Sequence, residues 1–311
     1  MGFKNLSDWE LTLFNKVRVP SNITIPVDDT CAYLTYPHFR WIFNKLELCR
    51  SQGIDCAPVG IMPNKYPVFM KPITNLYGMG IEAKRINHEN ELVAKPGFFW
   101  MEYLYPPHIS TDVVFKKGTS VWWGHTIAHK IDDTRFDLWE FCGDTRFESL
   151  EKYIREWAKC NISNYTGVFN FETLDEKIID AHPRMSVQFI NLYNDNWLQS
   201  VVDLYCHNRW DYNSKEKKGY SMPIWSNDYI DLEMQDAFLC SMLSNVISIH
   251  ITSETVFQPP TGFRIAVVNG HELESVRQVA NIIKESLINP SPQVWRKFIL
   301  HKSLSSVEVI I

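Results

Sequence analysis

The chain has 311 residues, 45% hydrophobic and 22% charged, which suits a globular protein with a large core and, at this length, two domains or lobes. A formal net charge of −5 argues against a nucleic-acid surface as the main partner, and no run of about eighteen apolar residues offers a membrane span. Charge appears at once at the N-terminus, unlike a secretory signal, so a cytoplasmic location is expected. The seven cysteines are odd in number and contain no Cys-x-x-Cys, so they are expected as reduced thiols.

In chain order, Ser7 to Val17 is a short helix, capped by Ser7 with Glu10 three residues on. A Pro-punctuated stretch follows. His38 to Gln52 reads as one helix, with Phe39, Ile42, Phe43, Leu46 and Cys49 on its inner stripe and Gly53 as its stop. Tyr66 to Met70 is an apolar strand, Gly78-Met79-Gly80 a loop, and Ile81 to Ile86 a returning strand. Phe98 to Leu104 is a further apolar run ended by Pro106-Pro107. Thr111 to Phe115 and Ser120 to Ala128 form a hairpin around Lys117-Gly118.

Arg146 to Cys160 is a helix with Leu150, Tyr153, Ile154 and Trp157 inward. Gly167 to Phe171 and Lys177 to Ala181 are strands. Residues 195–225 are rich in Trp, Tyr, Asn and Lys, with a solvated loop at 213–219; their aromatics suit a pocket or a core equally. Phe263 to Val268 is a strand, and Glu272 to Leu287 an amphipathic helix with Val276, Val279 and Ile283 inward. Short strands alternating with helices describe an α+β protein.

The hairpin over 167–184 carries the sharpest chemistry. Side chains two apart on a strand share a face, so Asp180, His182 and Arg184 point one way. A three-residue loop sets Glu172 opposite Asp180, with Cβ atoms roughly 5 Å apart. Two carboxylates that close repel unless a cation lies between them, and a hard divalent ion such as Mg²⁺ brings phosphates with it. Arg184 can neutralise phosphate charge. Read alone, the same hairpin fits a solvated acidic edge salt-bridged by Arg184 somewhat better.

The order of features upstream selects between these. Phe43-Asn44-Lys45 precedes a helix ending Gln52-Gly53. Tyr66-Pro67-Val68-Phe69-Met70-Lys71-Pro72 leads into Gly78-Met79-Gly80-Ile81. Trp100-Met101-Glu102-Tyr103-Leu104 leads through Pro106-Pro107-His108 to Asp112, and the acidic hairpin follows. The series resembles the ATP-grasp superfamily, which traps ATP between two lobes of antiparallel sheet and helices.

The resemblance implies a role for each matching residue. Lys45 and Lys71 match the two lysines that reach the phosphates. Gly78 and Gly80 match the loop that closes over them. Glu102, Tyr103 and Leu104 match the linker that receives the adenine. His108 falls where many members carry a ribose-binding Glu and where carboxylase-type members carry a His. Glu172, Asp180 and His182 match the metal-binding set, and Arg184 the basic residue after it.

Two departures bear on the metal: Asp180 stands where Glu is usual, and His182 where Asn is usual. His182 favours softer ions than Asn does, so Mg²⁺ is expected with Mn²⁺ as an option. The implied organisation is a shortened N-terminal region at 1–44, a first lobe at 45–104, a second lobe with the metal hairpin at 105–190, and a C-terminal extension at 191–311. Members usually carry a Rossmann-like domain before the first lysine. Substrate recognition is therefore expected from residues after about 190, from a partner supplying that domain, or from a large substrate, and a homodimer is a further option.

The implied reaction is ATP-dependent ligation: a carboxylate becomes an acylphosphate and is then attacked by an amine. The alternatives are an ATP-grasp phosphotransferase, a non-catalytic ATP-binding regulator, and, from another class, a nucleophile at Cys206-His207. Lys116, Lys117, His129, Lys130, Arg135 and Arg146 are candidates to meet the substrate carboxylate or to form a solvated face.

Overall fold

Period-two apolar patterning builds much of this chain into two antiparallel sheets. The computed structural model describes residues 2–3, 6–78, 80–130, 136–227, 246–252 and 262–288. The smaller sheet has β1 (Cys56–Pro58), β2 (Val68–Pro72), β3 (Lys84–Ile86) and β4 (Phe98–Glu102) in the order β1-β4-β2-β3. The larger sheet has eight strands. Its order is β11 (Val246–Ile251), β12 (Phe263–Gly270), β10 (Gly219–Ser226), β7 (Phe136–Phe141), β6 (Thr119–Lys130), β5 (His108–Lys116), β8 (Gly167–Leu174) and β9 (Lys177–His182). The C-terminal strands thus continue the sheet begun by β5.

Among the described residues, α-helices pack on the larger sheet. On β5 and β8, Val113, Phe115, Phe169 and Phe171 point to one face, against Leu150, Ile154 and Trp157 of α4 (Glu148–Asn161). Val114 and Val168 point to the other, into a core with Trp197 and Val201 of α5 (Trp197–His207). That core also takes Phe14 of α1 (Asp8–Phe14). At the far end, Val276, Val279 and Ile283 of α6 (Leu273–Ile288) pack on Ile224, Ala266 and Val268. Pro223 lies in β10 beyond Ser221, where pairing with β7 stops, so its missing N–H leaves that side of the ladder intact.

The helix expected over His38–Gln52 is two elements. A 3₁₀ turn spans Pro37–Phe43, and α3 spans Lys45–Arg50. Asn44 breaks them with ψ at 95°, and its side chain accepts a bond from the Glu47 N–H at 3.1 Å. Side-chain capping by Asn outweighs the apolar stripe that runs through both. A second helix near the N-terminus, α2 (Asp29–Thr35), is capped by Asp28, which accepts from the Cys31 N–H at 2.7 Å. Neither α2 nor α5 stood out in the sequence.

The aromatic stretch after 190 is largely core. Trp197 and Tyr193 are buried, and Trp210 and Tyr212 pack beside them. The solvated loop at 213–219 is pinned by Glu216, a buried residue that accepts bonds from the Asn194 N–H and the Tyr212 hydroxyl. No helix among the described residues is long and apolar enough to cross a membrane.

Candidate functional site

A cleft of about 1260 Å³ opens between the two sheets, with α1 and α2 along its side. Ligand pockets commonly measure about 300–1,000 Å³, so this one has room for a nucleotide and a second molecule. Lys45, Lys71, Gly78, Gly80, Glu102, Tyr103, Leu104, His108, Glu172, Asp180, His182 and Arg184 all line it.

Lys45 enters as the first residue of α3, whose cap at Asn44 aims it inward. Its ammonium pairs with Asp180 Oδ2. Lys71 is buried on β2 and donates to the Ile179 carbonyl at 2.8 Å. That carbonyl is available because of a bulge. The β8–β9 turn has two residues, Asp175 and Glu176, rather than the expected three, and both have positive φ. Leu174 faces Lys177 and Thr173 faces Ile178, and then the register slips so that Glu172 faces Asp180. The expected opposition of carboxylates holds, but by a shorter turn plus one unpaired residue, Ile179.

One face of β5 and β8 grades from core to cleft. Val114 and Val168 are buried in the core. Next come Asp112 and Asn170, whose side chains bond at 2.8 Å. Beyond them His108 Nε2 lies 3.5 Å from Glu172 Oε2. Neither ring nitrogen of His108 has a hydrogen-bond partner among the described residues. Its ring stands edge-on to Phe136 and Trp139.

Asp29 was not singled out from sequence, yet it organises the metal-proposed end. Its Oδ1 lies 2.9 Å from His182 Nδ1 and 2.8 Å from Arg184 Nε. Beneath, Asp112 accepts from Asn170, from the Ser186 N–H at 3.1 Å and from the Tyr193 hydroxyl at 3.0 Å. This fastens the chain just after Arg184.

The charges compensate one another. Burial pushes the Asp29 carboxyl up, but Arg184 and His182 outweigh it and hold it well below the usual range. Glu172 is held at about 2: burial opposes its ionisation, and His108, His182 and Lys45 overcome that. Asp180 is lowered because Lys45 and His182 outweigh its burial. Lys45 is raised, since Asp180 more than offsets desolvation. Burial lowers Lys71, which donates a hydrogen bond to a neutral carbonyl. Asp112, deep in its network, is pushed up to about 6 by burial.

The donor set suits a hard cation only in company. Among the described residues, no three His, Cys, Asp or Glu side chains group closely enough to hold a metal ion by themselves. Mg²⁺ usually takes one or two carboxylates together with waters and substrate phosphates. Glu172, Asp180 and His182 therefore fit an ion that arrives with a nucleotide.

Beyond Arg184 the cleft continues past Gln188, Trp225, His250 and Arg264, with Trp9 of α1 tilted over His250 at 4.8 Å. These distal residues were not picked out either, because they are scattered from 9 to 264 without local pattern. Of the basic candidates expected near a substrate carboxylate, Lys130 is the described one that lines the cleft. Arg146 is committed to Glu151, which His125 also contacts at 3.2 Å. Arg135 lies outside the described residues. Cys206 and His207 sit on α5, away from the cleft lining.

No protein-family model matches the sequence, and no curated protein sequence matches it. Solved structures do. An L-amino acid ligase from Bacillus licheniformis superposes with a TM-score of 0.58 at 10% identity, over 83% of this chain and 75% of that one. An N5-carboxyaminoimidazole synthetase from Staphylococcus aureus, complexed with ADP, gives 0.57 at 13% identity, over 91% and 78%. The fold is ATP-grasp. A third ATP-grasp structure, the biotin carboxylase domain of a Hydrogenobacter thermophilus 2-oxoglutarate carboxylase with MgADP and bicarbonate, gives 0.52 at 14% identity, over 78% and 67%.

Proposed function

We propose that this chain is an ATP-dependent ligase that activates a small-molecule carboxylate as an acylphosphate and transfers the acyl group to an amine. The observation that carries the reading is the convergence of Lys45, Lys71, Glu172 and Asp180, from separate elements, on one cleft of an ATP-grasp fold. The structural neighbours, described as amino acid ligase and carboxyaminoimidazole synthetase, support a bond-forming reaction between carboxylate and amine.

In this reading ATP lies with its adenine against Glu102, Tyr103 and Leu104 and its phosphates toward Lys45 and Lys71, beneath the Gly78–Gly80 loop. Both glycines have positive φ, so the loop's backbone can approach phosphate without a Cβ in the way. Glu172, Asp180 and His182 would hold Mg²⁺, which supplies charge neutralisation on the phosphates when bound. The substrate carboxylate oxygen attacks the γ-phosphorus, the bond to the β,γ-bridging oxygen breaks, and ADP leaves. The amine nitrogen then attacks the acyl carbon, the acyl–oxygen bond breaks, and phosphate departs with the amine proton passing to it or to water. Lys71, lowered by burial, regains a charged partner when phosphate arrives, and Arg184 offsets charge on the transferred group.

Residues 45–104 and 105–190 form the two lobes in this proposal. The distal lining at Gln188, Trp225, His250 and Arg264 favours recognition of the second substrate by residues around and after 190 rather than by a second copy or a separate domain. A cytoplasmic setting, where ATP is abundant, belongs to the same proposal.

The test is ADP release measured with Mg-ATP against panels of amino acids and small carboxylates, with and without amines. Glu172→Ala should abolish ADP release while keeping the wild-type circular dichroism spectrum; wild-type turnover in that variant sinks the assignment. ADP release without any amine would instead indicate phosphotransfer. Stabilisation by Mg-ATP with no ADP under any mixture would indicate a binding protein.

A further inference from the structure

The N-terminal region reaches the phosphate end of the cleft through one side chain. Asp29, the first residue of α2, is buried, and its Oδ1 meets both His182 Nδ1 and Arg184 Nε. An ionised carboxylate only accepts hydrogen bonds, so the His182 Nδ1 it meets carries the hydrogen. The other ring nitrogen, Nε2, stands 3.6 Å from Asp180 Oδ1, beyond hydrogen-bonding length, on a residue that lines the cleft. Nδ1 is thus committed to a buried acceptor, while Nε2 faces the carboxylates that would hold a cation. A carboxylate on the far nitrogen of an imidazole fixes its tautomer, orients its ring and raises the basicity of the near nitrogen toward metal.

We propose that Asp29 is a positioning residue that fixes His182 as an Nε2 donor to the divalent cation accompanying the nucleotide. The site thereby gains a nitrogen ligand and prefers Mn²⁺ over Mg²⁺. The proposal rests on the ATP-dependent reading above. An oxygen-only set suits Mg²⁺, whereas imidazole shifts preference toward transition metals. The 2.9 Å contact ties His182 to α2, outside the hairpin that carries it, where its register partner on the neighbouring strand is Asn170.

The experiment uses the full chain with Mn²⁺ and a non-hydrolysable ATP analogue, read by pulsed electron paramagnetic resonance. The wild type should show ³¹P coupling from the phosphates together with ¹⁴N coupling from a directly bound imidazole. His182→Asn should keep the first, lose the second, and lower the ratio of Mn²⁺ to Mg²⁺ affinity about tenfold. Asp29→Asn should weaken Mn²⁺ binding to the nucleotide-loaded protein about ten- to hundredfold. Phosphorus coupling without nitrogen coupling in the wild type overturns this proposal and leaves the ATP reading intact. Unchanged Mn²⁺ affinity in a folded Asp29→Asn variant also overturns it. Absence of nucleotide binding, seen as no analogue-dependent shift in melting temperature, overturns both.

Discussion

Glu172 shows how a carboxylate is kept ionised in a half-covered setting. Its folded pKa of about 2 lies below the ordinary 4.5, so its contribution to stability is present above pH 4.5 and is lost as pH falls toward 2. Glu172→Gln removes that titration. The difference in melting temperature between wild type and this variant is therefore expected to hold at pH 6 and to change progressively between pH 4.5 and 2; a difference that stays flat across that window counts against an ionised, paired Glu172. The strand alternation of the hairpin picked out Glu172 and Asp180, and the resemblance of their surroundings picked out Lys71 and Glu102; all four line the cleft. Asp29 was not legible in this way. The two side chains it holds come 153 and 155 residues later, and no local pattern marks a carboxylate as buried.

The elements that aim these side chains were read well where their signals are local. The strands β8 and β9, the helix α4 and the hairpin of β5 with β6 all follow from period and turn residues. The break at Asn44 did not, because the apolar stripe of the 3₁₀ turn continues in phase into α3 and conceals the cap. That cap positions Lys45. Asn44→Ala should destabilise the protein by about 1 kcal/mol in chemical denaturation and weaken nucleotide binding through Lys45. Unchanged affinity would mean that the Lys45–Asp180 pair alone orients the ammonium. The two-residue turn with its bulge conveys a similar lesson: the register of Glu172 against Asp180 was right, yet the carbonyl offered to Lys71 exists only because Ile179 is left without a partner on β8.

At the scale of the whole molecule, the cleft is assembled from residues 7 to 267, and Lys45 and Arg184 face its acids. Nucleotide phosphates add negative charge to that balance, and a divalent cation offsets it. Mg²⁺ alone has too few donors in proximity, so it should leave the melting temperature nearly unchanged. Mg-ATP should raise it, by an amount equivalent to about 2.7 kcal/mol at a hundredfold excess over its dissociation constant. Equal stabilisation by Mg²⁺ without nucleotide would contradict the donor count. The two-sheet architecture was legible as a class from sequence order, whereas the continuation of one sheet through β10, β12 and β11 was not, since strand order across a long connection leaves no sequence period.

The ties across the cleft, Lys45 to Asp180, Lys71 to Ile179 and Asp29 to His182, span 135, 108 and 153 residues of chain. Contacts of such length close late in folding, because their loop entropy is overcome only after local structure exists. These ties are therefore expected to be absent from the folding transition state and present only in its product. Mg-ATP should slow the unfolding limb of a denaturant chevron and leave the refolding limb where it was. On the proposed function, the ligand would then be a guardian of the finished protein and not an assistant in its making.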